Sequence, residues 1–197
     1  VVVGQSASAN GDVNHSRGTT DYWIIKLDSL GNFIWKNSYG GTGKDEAYAV
    51  DACSDGGFIV AGGSRSKNLD VTNNHGAYDF WMVKLKSNGN LDWQKSFGGP
   101  DIDEAYDVKQ TSDGGYIAVG YAKSKTGDVT SQKGKGDYWI VKWMHRETCN
   151  GKKVTGALNL TLHMPSRSLR MAATSFRAMP GRAMVMLMII MVKKIYG

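Results

Sequence analysis

DEAYDVKQTSDGGYIAVGYA, residues 103–122, is the stretch whose reading decides the fold. Ala105 to Thr111 reads as a strand, with Tyr106 and Val108 on one face and Ala105 and Asp107 on the other. Ser112-Asp113-Gly114-Gly115 then makes a tight turn, because Asp-Gly-Gly supplies the positive φ that a hairpin needs. Tyr116 to Ala122 follows as a near-continuous run of small and apolar residues, suited to a strand buried on both faces.

Outward from this hairpin the same words return at a fixed step of 58 residues. DEAY stands at 45–48 and 103–106, SDGG at 54–57 and 112–115, Gly-Gly at 40–41 and 98–99, and Asp-Val begins at 12, 70 and 128. DYW at 21–23 returns as DFW at 79–81 and DYW at 137–139, and Trp35 returns as Trp93. DFWMVKL at 79–85 reads as a third strand, with Trp81, Val83 and Leu85 opposite Phe80, Met82 and Lys84. A Lys-Ser-Asn-Gly-Asn turn at 86–90 leads to a fourth, Leu91 to Phe97, in which Leu91, Trp93 and Phe97 share a face.

The fold class expected is all-β: four-stranded antiparallel blades of a β-propeller, since a sandwich has no reason to repeat its sequence at a fixed period. Strands are expected near 47–52, 57–63, 79–85, 91–97, 105–111, 116–122 and 137–142, with a partial unit at 1–41, a complete one at 42–99 and a partial one at 100–142. Trp23, Trp35, Trp81, Trp93 and Trp139 are expected to pack between units, and Gly56, Gly57, Gly114 and Gly115 to make the hairpin turns. The remaining blades are expected from the same parent chain, because fewer than about four do not close a ring. The chain opens on Val1 to Val3 with neither an initiator Met nor a leader, which reads as a fragment.

SDGGYIAVGY (112–121), the DVT at 128–130, GDYWIVK (136–142), GNLDWQKSFGG (89–99) and DEAYDVKQ (103–110) resemble a tandem β-repeat family of secreted and surface bacterial proteins, some with type IX secretion sorting domains. The resemblance covers residues 1–142 and implies a propeller fold and an extracellular or cell-surface location. The GNxxW segment is also similar to the tryptophan-docking strand of quinoprotein-type propeller blades. Neither resemblance assigns a catalytic residue.

The 197 residues carry a net charge of +6, but its distribution argues against a nucleic-acid partner. Residues 1–142 hold 15 basic against 17 acidic side chains, whereas 143–197 hold nine against one, so the basic excess belongs to the tail. That tail, which stops repeating after Lys142, also holds eight of the nine Met. Its longest apolar run, AMVMLMIIMV at 183–192, is too short to cross a membrane, for which about 20 residues are needed. Codons permitted for residues 143–156, read one nucleotide earlier, encode DAQGNLQWKKSYG, which matches GNLDWQKSFGG with its Trp at 151, one repeat step beyond Trp93. The tail therefore reads as frameshifted repeat with no stable fold of its own, leaving 137–142 without a partner strand.

Candidate chemistry is sparse. Asp45-Glu46 and Asp103-Glu104 are paired acids, but neighbours in a strand face opposite ways and the pairs recur in each unit, as a structural role requires. Asp12, Asp70 and Asp128 begin polar loops and are the calcium candidates, although the loops lack DxDxDG spacing and Asp also makes turns. His15 and His75 occupy different repeat positions, against a repeated metal site. Cys53 and Cys149 are too few to fix a redox compartment. Tyr78, Tyr106 and Tyr121 are candidates for stacking on sugars, with core packing between blades as the alternative. The function expected is a non-enzymatic module that binds an unidentified protein or glycan, or serves as a scaffold. A lectin, or part of a carbohydrate-active or quinoprotein-type enzyme, are the alternatives.

Overall fold

The computed structural model describes residues 1–13, 16–129, 135–145 and 155–162, and for 145 and 155–162 it describes the backbone alone. The described chain is all-β: β1 (Val2–Ser6), β2 (Asp21–Leu27), β3 (Phe33–Tyr39), β4 (Asp45–Ala52), β5 (Phe58–Ser64), β6 (Asp79–Leu85), β7 (Leu91–Phe97), β8 (Asp103–Gln110), β9 (Tyr116–Ala122), β10 (Asp137–His145) and β11 (Thr155–Leu162). These form three antiparallel sheets in the orders β1-β2-β3, β4-β5-β6-β7 and β11-β10-β9-β8. The 58-residue step carries β1–β3 onto β5–β7, and β4–β6 onto β8–β10.

The hairpins form for the reason the sequence suggests. Gly56 and Gly114 take φ of 79° and 80°, and the Asp55 and Asp113 carboxylates accept the Gly57 and Gly115 N–H at 2.8 and 3.1 Å. Gly57, whose φ is not positive, is glycine for a different reason: a Cβ there would strike the Leu85 carbonyl and the Lys84 Nζ. The buried Lys84 runs beneath this turn to reach Asp55 at 2.7 Å, and Lys142 repeats the pairing with Asp113.

The apolar faces bury one sheet against the next. Tyr22 and Ile24 meet Trp81, Val83, Leu85 and Val60 in one cluster; Phe80, Met82 and Ile59 meet Trp139, Val141 and Ala118 in the other. Ring contacts repeat in step: Tyr22 on Trp81 at 4.5 Å and Phe80 on Trp139 at 4.6 Å, then Trp35 on Phe58 at 6.0 Å and Trp93 on Tyr116 at 5.2 Å. Parallel bridges Thr20–Lys44 and Tyr78–Ile102 stitch successive units together.

Three expectations need correction. Ala105, not Tyr106, shares a buried face with Val108, because a β-bulge at Tyr106 adds a residue to the ladder and reverses the alternation. A bulge opposite Lys84–Leu85 likewise sends Leu91 to the face opposite Trp93 and Phe97. The edge of β10 is not bare: β11, inside the non-repeating tail, pairs with it from Tyr138–Leu162 to His145–Thr155. One repeat step beyond β7 would instead place the partner strand at 149–155. Residues 146–154 and 163–197, and so most of the expectation about the tail, lie outside the described residues.

Candidate functional site

Strands β4 and β8 are each an edge of their sheet and lie against one another. In both, the Ala-Tyr step departs from the ladder. Ala47 pairs with Gly62 and Ala49 with Ala61, leaving Tyr48 as the extra residue, and Tyr106 repeats this between Ala105 and Asp107. A bulge bends the strand and re-aims one side chain, and here it turns both phenol rings outward. Tyr48 is 40% and Tyr106 51% exposed, with ring centroids 5.7 Å apart at 53°.

Around these rings stand the glutamates of the paired acids. Glu46 binds Lys44 Nζ at 3.0 Å and accepts the Tyr78 hydroxyl at 3.2 Å. Glu104 accepts the Tyr106 hydroxyl at 3.0 Å, and its Cγ lies 3.2 Å from the point a Gly63 Cβ would occupy, beside the Tyr78 ring. The Arg65 guanidinium lies 5.3 Å from the Tyr78 ring centroid. Burial first, and then the Glu104 charge, push the Tyr48 and Tyr106 hydroxyls up, Tyr106 to about 12. Tyr121 stands opposite Glu104 in the β8–β9 ladder and donates its hydroxyl to the Lys135 carbonyl at 3.0 Å. Tyr78, Tyr106 and Tyr121 are thus brought to one surface, together with Tyr48, whose part the sequence reading did not anticipate.

The aspartates of the same paired acids point inward. Asp45 accepts from Ser64 Oγ, Ser66 Oγ and the Gly41 N–H at 2.5, 2.7 and 2.8 Å, and Asp103 accepts from Ser124 Oγ and the Gly99 N–H at 2.6 and 2.8 Å. Beside each lies a second buried carboxylate, Asp21 or Asp79, whose Oδ1 has no hydrogen-bond partner. Burial, reinforced by the neighbouring Asp45 or Asp103, raises both. Gly40 and Gly98 are glycine because a Cβ at either would meet this pair, at 2.6 Å from Asp45 Oδ2 and 2.9 Å from Asp103 Oδ2.

Of the calcium candidates, Asp70 and Asp128 accept the Gly40 and Gly98 N–H, each at 3.2 Å, and Asp12 pairs with Lys36 at 2.7 Å. Among the described residues no three His, Cys, Asp or Glu side chains come together as metal ligands. His75 Nδ1 lies 2.6 Å from Asp79 Oδ2, at the repeat position of Arg17; His15 lies outside the described residues. Cys53 is buried as a free thiol, pushed up to about 11 by that burial, and Cys149 lies outside the described residues. No helix among the described residues is long and apolar enough to cross a membrane.

No family model and no curated protein matches the chain. The surface is legible through its own repeat: what recurs every 58 residues builds the sheets, and what differs at the same step distinguishes one unit from the next. The bulge had a signal in the sequence. Ala47 and Val50, like Ala105 and Val108, are apolar residues three apart, which no unbroken strand places on one face.

Proposed function

We propose that the chain is a run of blade-sized units of an extracellular β-propeller, acting as a non-enzymatic binding or scaffold module. Two repeated features support the propeller. Edge strands β4 and β8 converge on one side, and each sheet locks onto the next through the same aromatic pairs, as blades arranged around an axis require. The extracellular location rests on the family resemblance alone.

The observation that carries the binding role is the pair of bulged tyrosines. Two large rings are held out of the core at equivalent positions of the inner edge, with carboxylates beside them. Exposed aromatics with polar neighbours are the composition of recognition surfaces. Their repetition argues for a module that binds through successive units, whereas an enzyme of the carbohydrate-active or quinoprotein kind needs polar residues that do not repeat. The glycan reading is favoured by the same exposed rings.

An array of neutral oligosaccharides and lysine-containing peptides, probed with the wild-type chain and with Tyr48→Leu/Tyr106→Leu, tests the role. Specific binding that the double variant loses is expected. No binding above background in either class would remove the binding role and leave only the scaffold.

A further inference from the structure

The unit-to-unit differences around the bulged tyrosines name a ligand chemistry. Glu46 and Glu104 are repeat mates on β4 and β8. Glu46 is compensated from within: Lys44 Nζ sits 3.0 Å away and the Tyr78 hydroxyl 3.2 Å away. One step along, Lys44 becomes Ile102, which is 36% exposed, and Tyr78 becomes Gly136. Among the described residues Glu104 therefore keeps its carboxylate without the cation that its mate carries, and it accepts a hydrogen bond from the neutral Tyr106 hydroxyl. Gly63 leaves room for the Glu104 side chain, since a Cβ there would lie 3.2 Å from its Cγ and 3.6 Å from its Oε1; the next unit places Tyr121 at that position.

We propose that Glu104, with the exposed rings of Tyr48 and Tyr106, receives an alkylammonium group, the lysine side chain of a partner protein. It rests on the inner edge being a binding surface. A carboxylate supplies the charge-assisted hydrogen bond, and two tilted phenol rings supply the negative faces against which a cation and its methylene stem pack. The chain already holds such arrangements in the preceding unit: Lys44 on Glu46 beside Tyr78, and the Arg65 guanidinium over the Tyr78 ring. Glu104 accepts the Tyr106 hydroxyl at 3.0 Å with the Tyr48 ring 5.7 Å from that of Tyr106, and after burial its charge is what raises both hydroxyls. A neutral sugar would use the rings but has no need of a carboxylate that no cation among the described residues pairs with.

The test uses the whole chain and two peptides, acetyl-Gly-Lys-Gly-amide and its norleucine counterpart, followed through the tyrosine ring resonances. The lysine peptide is expected to bind and the norleucine peptide at least about tenfold more weakly. Glu104→Gln should weaken lysine-peptide binding by a similar factor. So should Ile102→Lys, which places at Glu104 the lysine its mate already has, on an exposed side chain whose change does not disturb the core. Lys44→Ala should strengthen binding by freeing Glu46. Equal binding of the two peptides, or unchanged affinity in both Glu104→Gln and Ile102→Lys, overturns the proposal. A neutral oligosaccharide whose binding is lost in Tyr48→Leu/Tyr106→Leu but kept in Glu104→Gln would overturn the ammonium assignment while keeping the binding surface. Binding of neither class removes both.

Discussion

Each tryptophan's burial separates residues that the repeat makes look alike. Trp81 and Trp139 are fully buried between sheets, whereas Trp93 is only partly so. Trp81→Ala is expected to cost about 3–5 kcal/mol, the range for emptying an aromatic site, and Trp93→Ala distinctly less; urea midpoints of the two variants check the order. Asp21 makes a pH prediction. Burial, with Asp45 and Asp70 nearby, raises it above its ordinary 3.8 despite Arg17. A raised carboxyl favours the proton-bound native state, so its contribution is full below about pH 3.8 and is lost as pH climbs through the higher native value. Asp21→Asn, which keeps a neutral side chain at every pH, should gain on the wild type as pH rises from 4 to 7 in urea melts. A difference that does not change with pH would say that Asp21 is ionised at its ordinary value.

At the scale of the element, the hairpin and the bulge were unequally legible. SDGG announces its turn because positive φ has a residue signature, and Gly56 and Gly114 adopt it. Gly56→Ala should cost about 1–2 kcal/mol for the left-handed backbone alone. Gly57→Ala should cost more despite its ordinary φ, because its Cβ meets the Leu85 carbonyl and the buried Lys84. Thermal melts that ranked the two the other way would contradict the close approach. The bulges at Tyr48 and Tyr106 break the strict alternation expected of a strand, and their only mark in the sequence is a pair of apolar residues three apart.

Across the whole molecule, the two ends of the stack differ. On the outer face of the first sheet, Val2 and Ile34 are both 55% exposed, with Trp23 and Ile25 half-buried beside them; the matching face of the second sheet, at Trp81 and Val83, is covered by Tyr22 and Ile24 of the first. Ile25→Lys with Ile34→Lys should keep the β-rich circular dichroism spectrum and reduce self-association by light scattering. Unchanged scattering would locate the sticky surface elsewhere. At the other end, sequencing the locus tests the frame. A single-nucleotide correction near codon 142 should restore the repeat and put a strand at 149–155 on β10 in place of β11; an intact gene without repeat in a neighbouring frame would end that account.

The sequence by itself determined the strands of the repeating segment, their antiparallel hairpins and the sheets they join, because a fixed period of 58 with turn glycines and alternating aromatics repeats one local solution, whereas β11, in the segment that does not repeat, was not legible. Its alternation also separated the Trp81–Val83–Leu85 face from the Phe80–Met82 face correctly. Only the tertiary structure decided that Tyr48 and Tyr106 meet in space, that Glu104 lies against Gly63 and Tyr78 of the preceding unit, and that Asp21 lies beside Asp45. Those relations join residues of different units, and their energy comes from how one sheet packs on the next, which no local pattern along the chain records.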